Sequence, residues 1–129
     1  MADWKKTWMK DYAAFINDKA MHNIVIPGTH DAGSTRFQYL IIDYYFRTQT
    51  EATGILAQLN AGVRSFDLRI YEDSSEFYIM HNTQVVHIGG STKLTLTAVL
   101  DDVNTFVTTS GNENEIIILD FHLFGIATG

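Results

Sequence analysis

The 129-residue sequence contains no cysteine and a single proline, Pro27. Without cysteine there is no disulfide scaffold, no thiolate zinc site and no cysteine nucleophile. Basic side chains are also scarce, with 9 Lys and Arg against 15 Asp and Glu and a net charge of −6. This balance argues against a general nucleic-acid binder, whose phosphate contacts need clustered cations. No apolar run approaches the ~20 residues that span a bilayer. The first residues have no apolar stretch typical of a secretory signal, so secreted and cytoplasmic locations both stay open.

The remaining composition is that of an ordinary globular chain, 46% hydrophobic and 19% charged. Its length suits one domain or part of one. Segments with strand and helix periodicity alternate along it. Helices are predicted over 4–20, 50–59 and 96–107, and strands over 24–26, 63–70, 77–80, 85–88 and 115–123. At least two strands are nearly continuous apolar runs, which predicts an α/β protein with a parallel sheet covered on both faces. An open doubly wound sheet and a (βα) barrel both fit this pattern.

Polar side chains stand at the ends of four predicted strands, where parallel α/β folds form their sites. They are His30 with Asp31, Asp67 with Arg69, His81, and Asp120 with His122. An apolar strand gains nothing from a buried charge unless that charge is paired. Strand alternation places Asp67 and Arg69 on one face of their strand, and Arg64, Phe66, Leu68 and Ile70 on the other.

Two histidines near an arginine suit phosphodiester chemistry. One imidazole takes a proton from the attacking hydroxyl, the other gives one to the leaving oxygen, and the guanidinium neutralises the phosphoryl oxygens. Histidine ordinarily titrates near pH ~6.5 and therefore serves as base or acid around neutrality. A metal site built from His and Asp ligands is the rival interpretation. Arg69 argues against it, because a fixed cation among the ligands competes with a metal.

Four segments, in order and at matching spacing, resemble phosphatidylinositol-specific phospholipase C X domains, especially the bacterial type. The first is Ile26-Pro27-Gly28-Thr29-His30-Asp31-Ala32-Gly33-Ser34. The others are 47–49 with 58–69, 77–81, and 115–121. The resemblance covers most of residues 4–124. It implies that residues 1–129 are the N-terminal portion of such a domain, a distorted (βα) TIM-type barrel of which about four of eight strands are present.

The resemblance also implies an activity, that of a phosphorus–oxygen lyase acting on phosphatidylinositol-type lipids at a membrane surface. The inositol 2-hydroxyl attacks phosphorus and gives a cyclic inositol phosphate. Carried over by position, His30 is the general base, His81 the general acid and Arg69 the phosphate-stabilising group. Asp67 and Asp31 hold the arginine and the acid in register.

Three further expectations follow from the same resemblance. Calcium-dependent relatives carry a carboxylate where this chain has Arg69, so no cofactor is expected, with calcium as the alternative. His122 falls near a position that contacts the inositol ring, and Asp120 beside it is assigned to substrate binding. In the bacterial enzymes the carboxylate that supports the base histidine comes from a strand beyond residue 129, and Asp120 is the candidate substitute within this chain.

Two other functions remain open on the sequence. One is a metal-dependent glycerophosphodiester or sphingomyelinase D-like phosphodiesterase, although that chemistry needs a Glu-x-Asp pair where this chain has Asp67-x-Arg69. The other is a half-barrel without turnover, either catalytically incomplete or a binding module. An eight-stranded barrel typically takes ~250 residues, and a four-stranded parallel sheet leaves edges and an apolar face exposed. We therefore expect a homodimer, or another chain beside this one.

Overall fold

In a computed structural model, which describes residues 5–34, 54–81, 84–86 and 92–126, the chain forms a five-stranded sheet with helices packed on one face. In chain order the elements are α1 (Trp8–Asp11), α2 (Ala13–Ile16), a 3-10 turn (Met21–Asn23), β1 (Gly28–Thr29), α3 (Ile55–Asn60), β2 (Ser65–Asp73), β3 (Glu76–His81), β4 (Gln84–Val85), α4 (Leu96–Val107) and β5 (Ile118–Ile126). The segment 47–49 lies outside the described residues. None of the described helices combines the length and the apolar character needed to cross a bilayer.

Strand β2 is the centre of the sheet. It pairs in parallel with β1, where Gly28 lies opposite Ser65. On its other side it pairs in parallel with β5 from Ser65 to Glu72, with an irregularity in register between Arg69 and Ile70. The predicted α/β class is therefore confirmed, and these three strands are parallel. The first of them, β1, covers Gly28–Thr29 and not the predicted residues 24–26. Across the described ranges the sheet stays open and does not close into a barrel.

Strand β3 corrects the prediction of an entirely parallel sheet, because it runs antiparallel to β2. Only two residues, Ser74 and Ser75, separate the paired Asp73 and Glu76. A connection this short joins antiparallel strands, since a parallel pair needs a long crossover. Both turn residues have positive φ, at 53° and 73°, as in the type I′ turns that suit the twist of hairpins. The hairpin carries the chain back along β2 and ends at His81.

An ion pair holds this hairpin to the segment that precedes α4. Lys93 Nζ lies 3.0 Å from Asp73 Oδ2 and 4.8 Å from the ring centroid of Tyr78. The hydrogen bond from Lys93 lowers the pKa of Asp73, and the same bond raises the pKa of Lys93. The segment is fixed further by the Leu94 carbonyl, which accepts from the Ile79 amide at 2.9 Å. These contacts keep the end of β3 in a defined position.

The hydrophobic core lies between the sheet and the helices α3 and α4. Phe66 and Leu68 of β2 are fully buried, together with Leu59 of α3 and Phe106 of α4. Helix α4 spans the predicted residues 96–107 and is capped by Thr95, whose hydroxyl accepts from the Ala98 amide. Since one face of β2 is buried in this core, its alternate residues must face the opposite side.

The N-terminal helix is shorter than predicted. Instead of one helix over 4–20, two single turns are separated at Tyr12, where φ is −100° and ψ is 14°. Trp8 packs as expected, because its indole N–H donates to the Gly62 carbonyl at 2.9 Å. Tyr12 and Phe15, however, are more than half exposed. Two such short turns depend on their tertiary contacts, since isolated helices of this length are unstable in water.

Candidate functional site

The loop that follows β1 carries the first two candidate residues, His30 and Asp31. Its backbone is tied to β2 because the Ala32 amide donates to the Asp67 carbonyl at 2.9 Å. Buried Gln58 of α3 holds it from the other side, donating to the Ala32 carbonyl at 2.9 Å and accepting from the Thr29 hydroxyl at 2.8 Å. Asp31 has a φ of 50°, a left-handed conformation that Asp tolerates better than most residues. The loop is therefore built to a fixed shape.

Gly33 is required in this loop by close packing. A Cβ at that position would lie 2.5 Å from Cγ2 of Ile79, whose side chain is itself buried in the core. The contact brings the loop directly against β3. It therefore also sets the distance between the residues of the loop and His81 at the end of β3.

Strand β2 supplies Asp67 and Arg69 on the face opposite Phe66 and Leu68, as the alternation predicts. The Asp67 and Arg69 side chains are 20% and 16% exposed. The face opposite the helices therefore carries a carboxylate and a guanidinium two residues apart, both largely removed from solvent.

The carboxylate of Asp31 lies between three of the other candidate residues. Its Oδ1 is 2.7 Å from Nε of Arg69. Its Oδ2 is 3.3 Å from Nε2 of His81 and 3.3 Å from Nε2 of His30. The largely buried carboxylate of Asp31 thus joins both histidines to the arginine, and it is an acceptor for Nε2 of either ring when that nitrogen carries a proton.

His30 differs from its neighbours because its side chain is 73% exposed. Its Nδ1 lies 2.6 Å from Oδ2 of Asp67, and its Nε2 lies 3.3 Å from Nη2 of Arg69. The ring is thus oriented by polar contacts while one edge stays accessible. His81, by contrast, is only 12% exposed.

Asp120 and His122 form a separate pair on the neighbouring strand β5. His122 Nε2 lies 2.9 Å from Asp120 Oδ2, and both side chains are more than half exposed. In the sheet register Asp120 is opposite Asp67, and His122 is opposite Arg69. The pair is therefore adjacent to the cluster of His30, Asp31, Asp67, Arg69 and His81, which we call the strand-end cluster.

A family model matches the part of the chain that holds these residues. The family model described as "Phosphatidylinositol-specific phospholipase C, X domain" matches residues 24–124, which include the whole strand-end cluster. The chain belongs to this family. The resemblance seen in the four sequence segments is thereby confirmed.

Two individual proteins are similar to this chain over most of its length. A PI-PLC X-box domain-containing protein of Dictyostelium discoideum is 32% identical over 134 residues, covering 92% of this chain and 17% of that protein. A variant-surface-glycoprotein phospholipase C of Trypanosoma cruzi is 28% identical, covering 92% of this chain and 37% of that protein. The chain therefore spans less than two fifths of the length of either relative.

A solved structure of a phosphatidylinositol-specific phospholipase C mutant from Staphylococcus aureus shares the fold. Its TM-score is 0.75 at 25% identity, over 96% of this chain and 38% of that one. A second structure of the S. aureus enzyme gives a TM-score of 0.70 over the same share of this chain. The fold is thus part of the TIM barrel of these enzymes.

Three residues of this X domain have the donor types of a metal site. His30, Asp31 and Asp67 each offer one possible ligand atom, and these three atoms lie within 4.8 Å of one another. The Arg69 guanidinium reaches into the same cluster, at 2.7 Å from Asp31 and 3.3 Å from His30. A divalent ion bound there would face this fixed positive charge at short range, which opposes its binding.

The sequence interpretation did not single out Gln58, which holds the loop of this X domain. A signal was available, because Gln58 shares the buried helix face of Ile55 and Leu59. A polar side chain on an apolar face needs a buried hydrogen-bond partner. The identity of that partner, the loop after β1, depends on how the strands pair.

Proposed function

We propose that this X domain cleaves the glycerol–phosphate bond of phosphatidylinositol-type lipids, by attack of the inositol 2-hydroxyl on phosphorus. The observation that carries the proposal is the carboxylate of Asp31, which joins two histidines and an arginine within 3.3 Å. The products are diacylglycerol and a cyclic inositol phosphate. The reaction forms one P–O bond and breaks another, so it needs no water and no redox partner.

In this proposal His30 is the general base. Its Nε2 takes the proton of the 2-hydroxyl as that oxygen bonds to phosphorus. The exposed ring supports the role, because the substrate must reach Nε2 from the open side of the loop. Once protonated, Nε2 has Oδ2 of Asp31 at 3.3 Å as an acceptor.

His81 is the general acid and gives a proton to the leaving glycerol oxygen. The ring is mostly buried, and its Nε2 lies 3.3 Å from Asp31. The imidazolium is the form that has a proton to give, and its Nε2–H has the Asp31 carboxylate as an acceptor. Asp31 therefore acts as the positioning residue of the acid, in accordance with the role expected from the resemblance.

Arg69 stabilises the phosphate during the transfer. Asp31 fixes the guanidinium through Nε, and a planar guanidinium has further N–H groups that can pair with phosphoryl oxygens. A charge held in place in this way costs little reorganisation in the transition state. We propose further that Asp120 and His122 contact the inositol ring from the neighbouring strand, and that the substrate is reached in a membrane surface.

The reaction is proposed to run without a metal ion, because Arg69 supplies the positive charge. The test is an assay of the purified chain on phosphatidylinositol vesicles, with and without EDTA. We expect release of cyclic inositol phosphate that survives EDTA. We also expect it to fall by about 10²–10⁴-fold in His30→Ala and in His81→Ala, the usual contribution of acid–base catalysis.

His22→Ala is the matched control, because His22 is exposed on the 3-10 turn and lies outside the strand-end cluster. It is expected to retain full activity. Loss of product with EDTA alone would contradict the metal-free mechanism and favour a metal-dependent phosphodiesterase. No product under any condition would contradict catalysis by this chain and favour a half-barrel that binds without turnover.

We also propose that the purified chain is a homodimer. Strand β5 pairs with β2 and with no other described strand. Apolar side chains are exposed at Val25, Ile116 and Phe121, at 94%, 51% and 38%. Sedimentation equilibrium should give twice the chain mass of 14.6 kDa. A monomer that binds no hydrophobic dye would contradict the proposal.

A further inference from the structure

We infer that Gln58 of α3 is a positioning residue for the proposed reaction, an inference that rests on the proposed function and deepens it. Its side chain holds the loop after β1 on both sides of His30 and Asp31. By fixing this loop, Gln58 fixes the distances from the Asp31 carboxylate to Arg69 and to His81.

The side-chain amide of Gln58 makes one hydrogen bond on each side of this part of the loop. Its Nε2 donates to the Ala32 carbonyl at 2.9 Å, and its Oε1 accepts from the Thr29 hydroxyl at 2.8 Å. A carbonyl oxygen can only accept, so the Ala32 contact requires the NH₂ group and leaves Oε1 for Thr29. These two residues are the immediate neighbours of His30 and Asp31. The amide therefore spans the segment that carries both side chains.

Gln58 is itself held by the hydrophobic core. It is 3% exposed and lies on the same helix face as Ile55 and Leu59, which are buried as well. The first turn of α3 is tied to α4, because the Leu56 amide donates to Oδ2 of Asp102 at 3.1 Å. A buried amide is costly unless its hydrogen bonds are made. The core position of Gln58 thus favours the two bonds to the loop.

The backbone of the loop needs this support. Asp31 has a φ of 50°, a left-handed conformation that a residue other than glycine keeps only where its surroundings determine it. Ala32, the next residue, is fully buried and is held at both of its backbone polar groups. Its amide donates to the Asp67 carbonyl, and its carbonyl accepts from Gln58. Without Gln58, one of these two supports is lost directly beside Asp31.

The partners of Asp31 are positioned by other elements. Arg69 belongs to β2, and His81 ends β3. The distances of 2.7 Å from Asp31 to Nε of Arg69 and 3.3 Å to Nε2 of His81 therefore depend on where the loop is held. Loss of the Gln58 bonds should change these distances while the strands stay in place. The proposed contacts with the inositol ring lie on β5, so we expect a defect in catalysis rather than in substrate binding.

Gln58→Met tests this expectation, because methionine has a similar length and shape but forms neither hydrogen bond. We expect kcat on phosphatidylinositol to fall by about 10²-fold, the loss that a ~1 Å misplacement can cause, with KM little changed. Ile55→Val is the matched control, since it removes a methyl group from the same buried helix face. It should lower stability and leave the kcat of the folded protein unchanged. An unchanged kcat in folded Gln58→Met, or an equal loss in Ile55→Val, would overturn the inference.

The pair Thr29→Val and Thr29→Ser separates the hydrogen bond from packing. Valine has nearly the shape of threonine but cannot donate to Oε1 of Gln58, whereas serine keeps the hydroxyl. We therefore expect kcat to fall in Thr29→Val and to be largely retained in Thr29→Ser. Thr29→Val combined with Gln58→Met should lower kcat little beyond Gln58→Met alone, because both changes remove the same bond. Equal kcat in the two Thr29 variants would overturn the inference even if Gln58→Met does not fold.

The histidine ring signals report the same positioning without substrate. In the ¹⁵N spectrum of the chain labelled in its 5 histidines, Gln58→Met should displace the signals of His81, which are assigned by their absence from His81→Ala. The signals of His22, exposed on the 3-10 turn, are the internal control and should not move. Unchanged His81 signals in folded Gln58→Met would overturn the inference. A chain that cleaves no lipid but shows this displacement would contradict the proposed function and still support the positioning by Gln58.

Discussion

Replacing Arg69 with methionine is expected to lower kcat on phosphatidylinositol by about 10³–10⁵-fold, the range found for arginines that stabilise phosphoryl transfer. Arg69 contacts Asp31 through Nε at 2.7 Å and His30 through Nη2 at 3.3 Å. Methionine has nearly the same length but no charge and no donor. The substitution therefore removes the charge at the phosphate and the ion pair that Arg69 makes with Asp31. Steady-state cleavage of phosphatidylinositol vesicles measures the effect.

Arg69→Lys separates charge from geometry in the same assay. A single ammonium group cannot make both contacts at once, so we expect this variant to recover only part of the lost activity. Lys93→Met is the control, because Lys93 pairs with Asp73 outside the strand-end cluster. Activity of Arg69→Met within tenfold of the unmodified chain would contradict the role of Arg69.

The residues of the site could be found from the sequence because strand alternation is strict. Asp67 and Arg69 lie two apart, so they share a face whatever the rest of the fold does. The run from Ile26 to Ser34 was recognisable by its residues alone. The parallel pairing of β2 with β5 also agrees with the predicted parallel sheet. The apolar run over 24–26 was wrongly predicted as a buried strand, because β1 is Gly28–Thr29 and Val25 is 94% exposed. Each correct prediction here depended only on residues that are close together in the sequence.

The partners within the site could not be found in this way, because they depend on pairings between distant segments. Antiparallel β3 brings His81 back beside the loop, and its two-serine turn lacks the usual Asn-Gly signal of a hairpin. The contact of Asp67 with His30 depends on the register of β1 and β2. The break at Tyr12 was also not predicted, because helical periodicity alone does not show where tertiary packing interrupts a helix.

Arg64 illustrates the same limit in the core. Alternation placed it correctly on the same side as Phe66 and Leu68, although it directly precedes β2. The sequence does not reveal what a buried arginine pairs with there. The side chain is fully buried and donates through Nε to Glu115 at 2.9 Å. Its other N–H groups donate to the carbonyls of Leu59, Val63 and Lys6, at 2.8, 2.8 and 2.6 Å.

Glu115 extends this network to the N-terminal turns. Its carboxylate accepts from the Lys10 amide at 3.0 Å and the Met9 amide at 3.4 Å. The Arg64 guanidinium also lies 4.6 Å from the ring centroid of Phe106. Burial lowers the pKa of Arg64, while the hydrogen bond and the charge of Glu115 oppose that change. One ion pair thus joins α1, α4 and the segments that begin β2 and β5.

Replacing Arg64 with methionine is therefore expected to lower the free energy of unfolding by about 3–5 kcal/mol, because Glu115 would keep a buried charge without its cation. Urea unfolding followed by circular dichroism measures the loss. Lys19→Met is the matched control, since Lys19 is exposed, and it should change stability by less than about 0.5 kcal/mol. The double variant Arg64→Met/Glu115→Leu should lose less than the sum of the two single variants, because neither charge is then left alone. Additive losses would show that the two side chains stabilise the fold independently and would contradict their coupling.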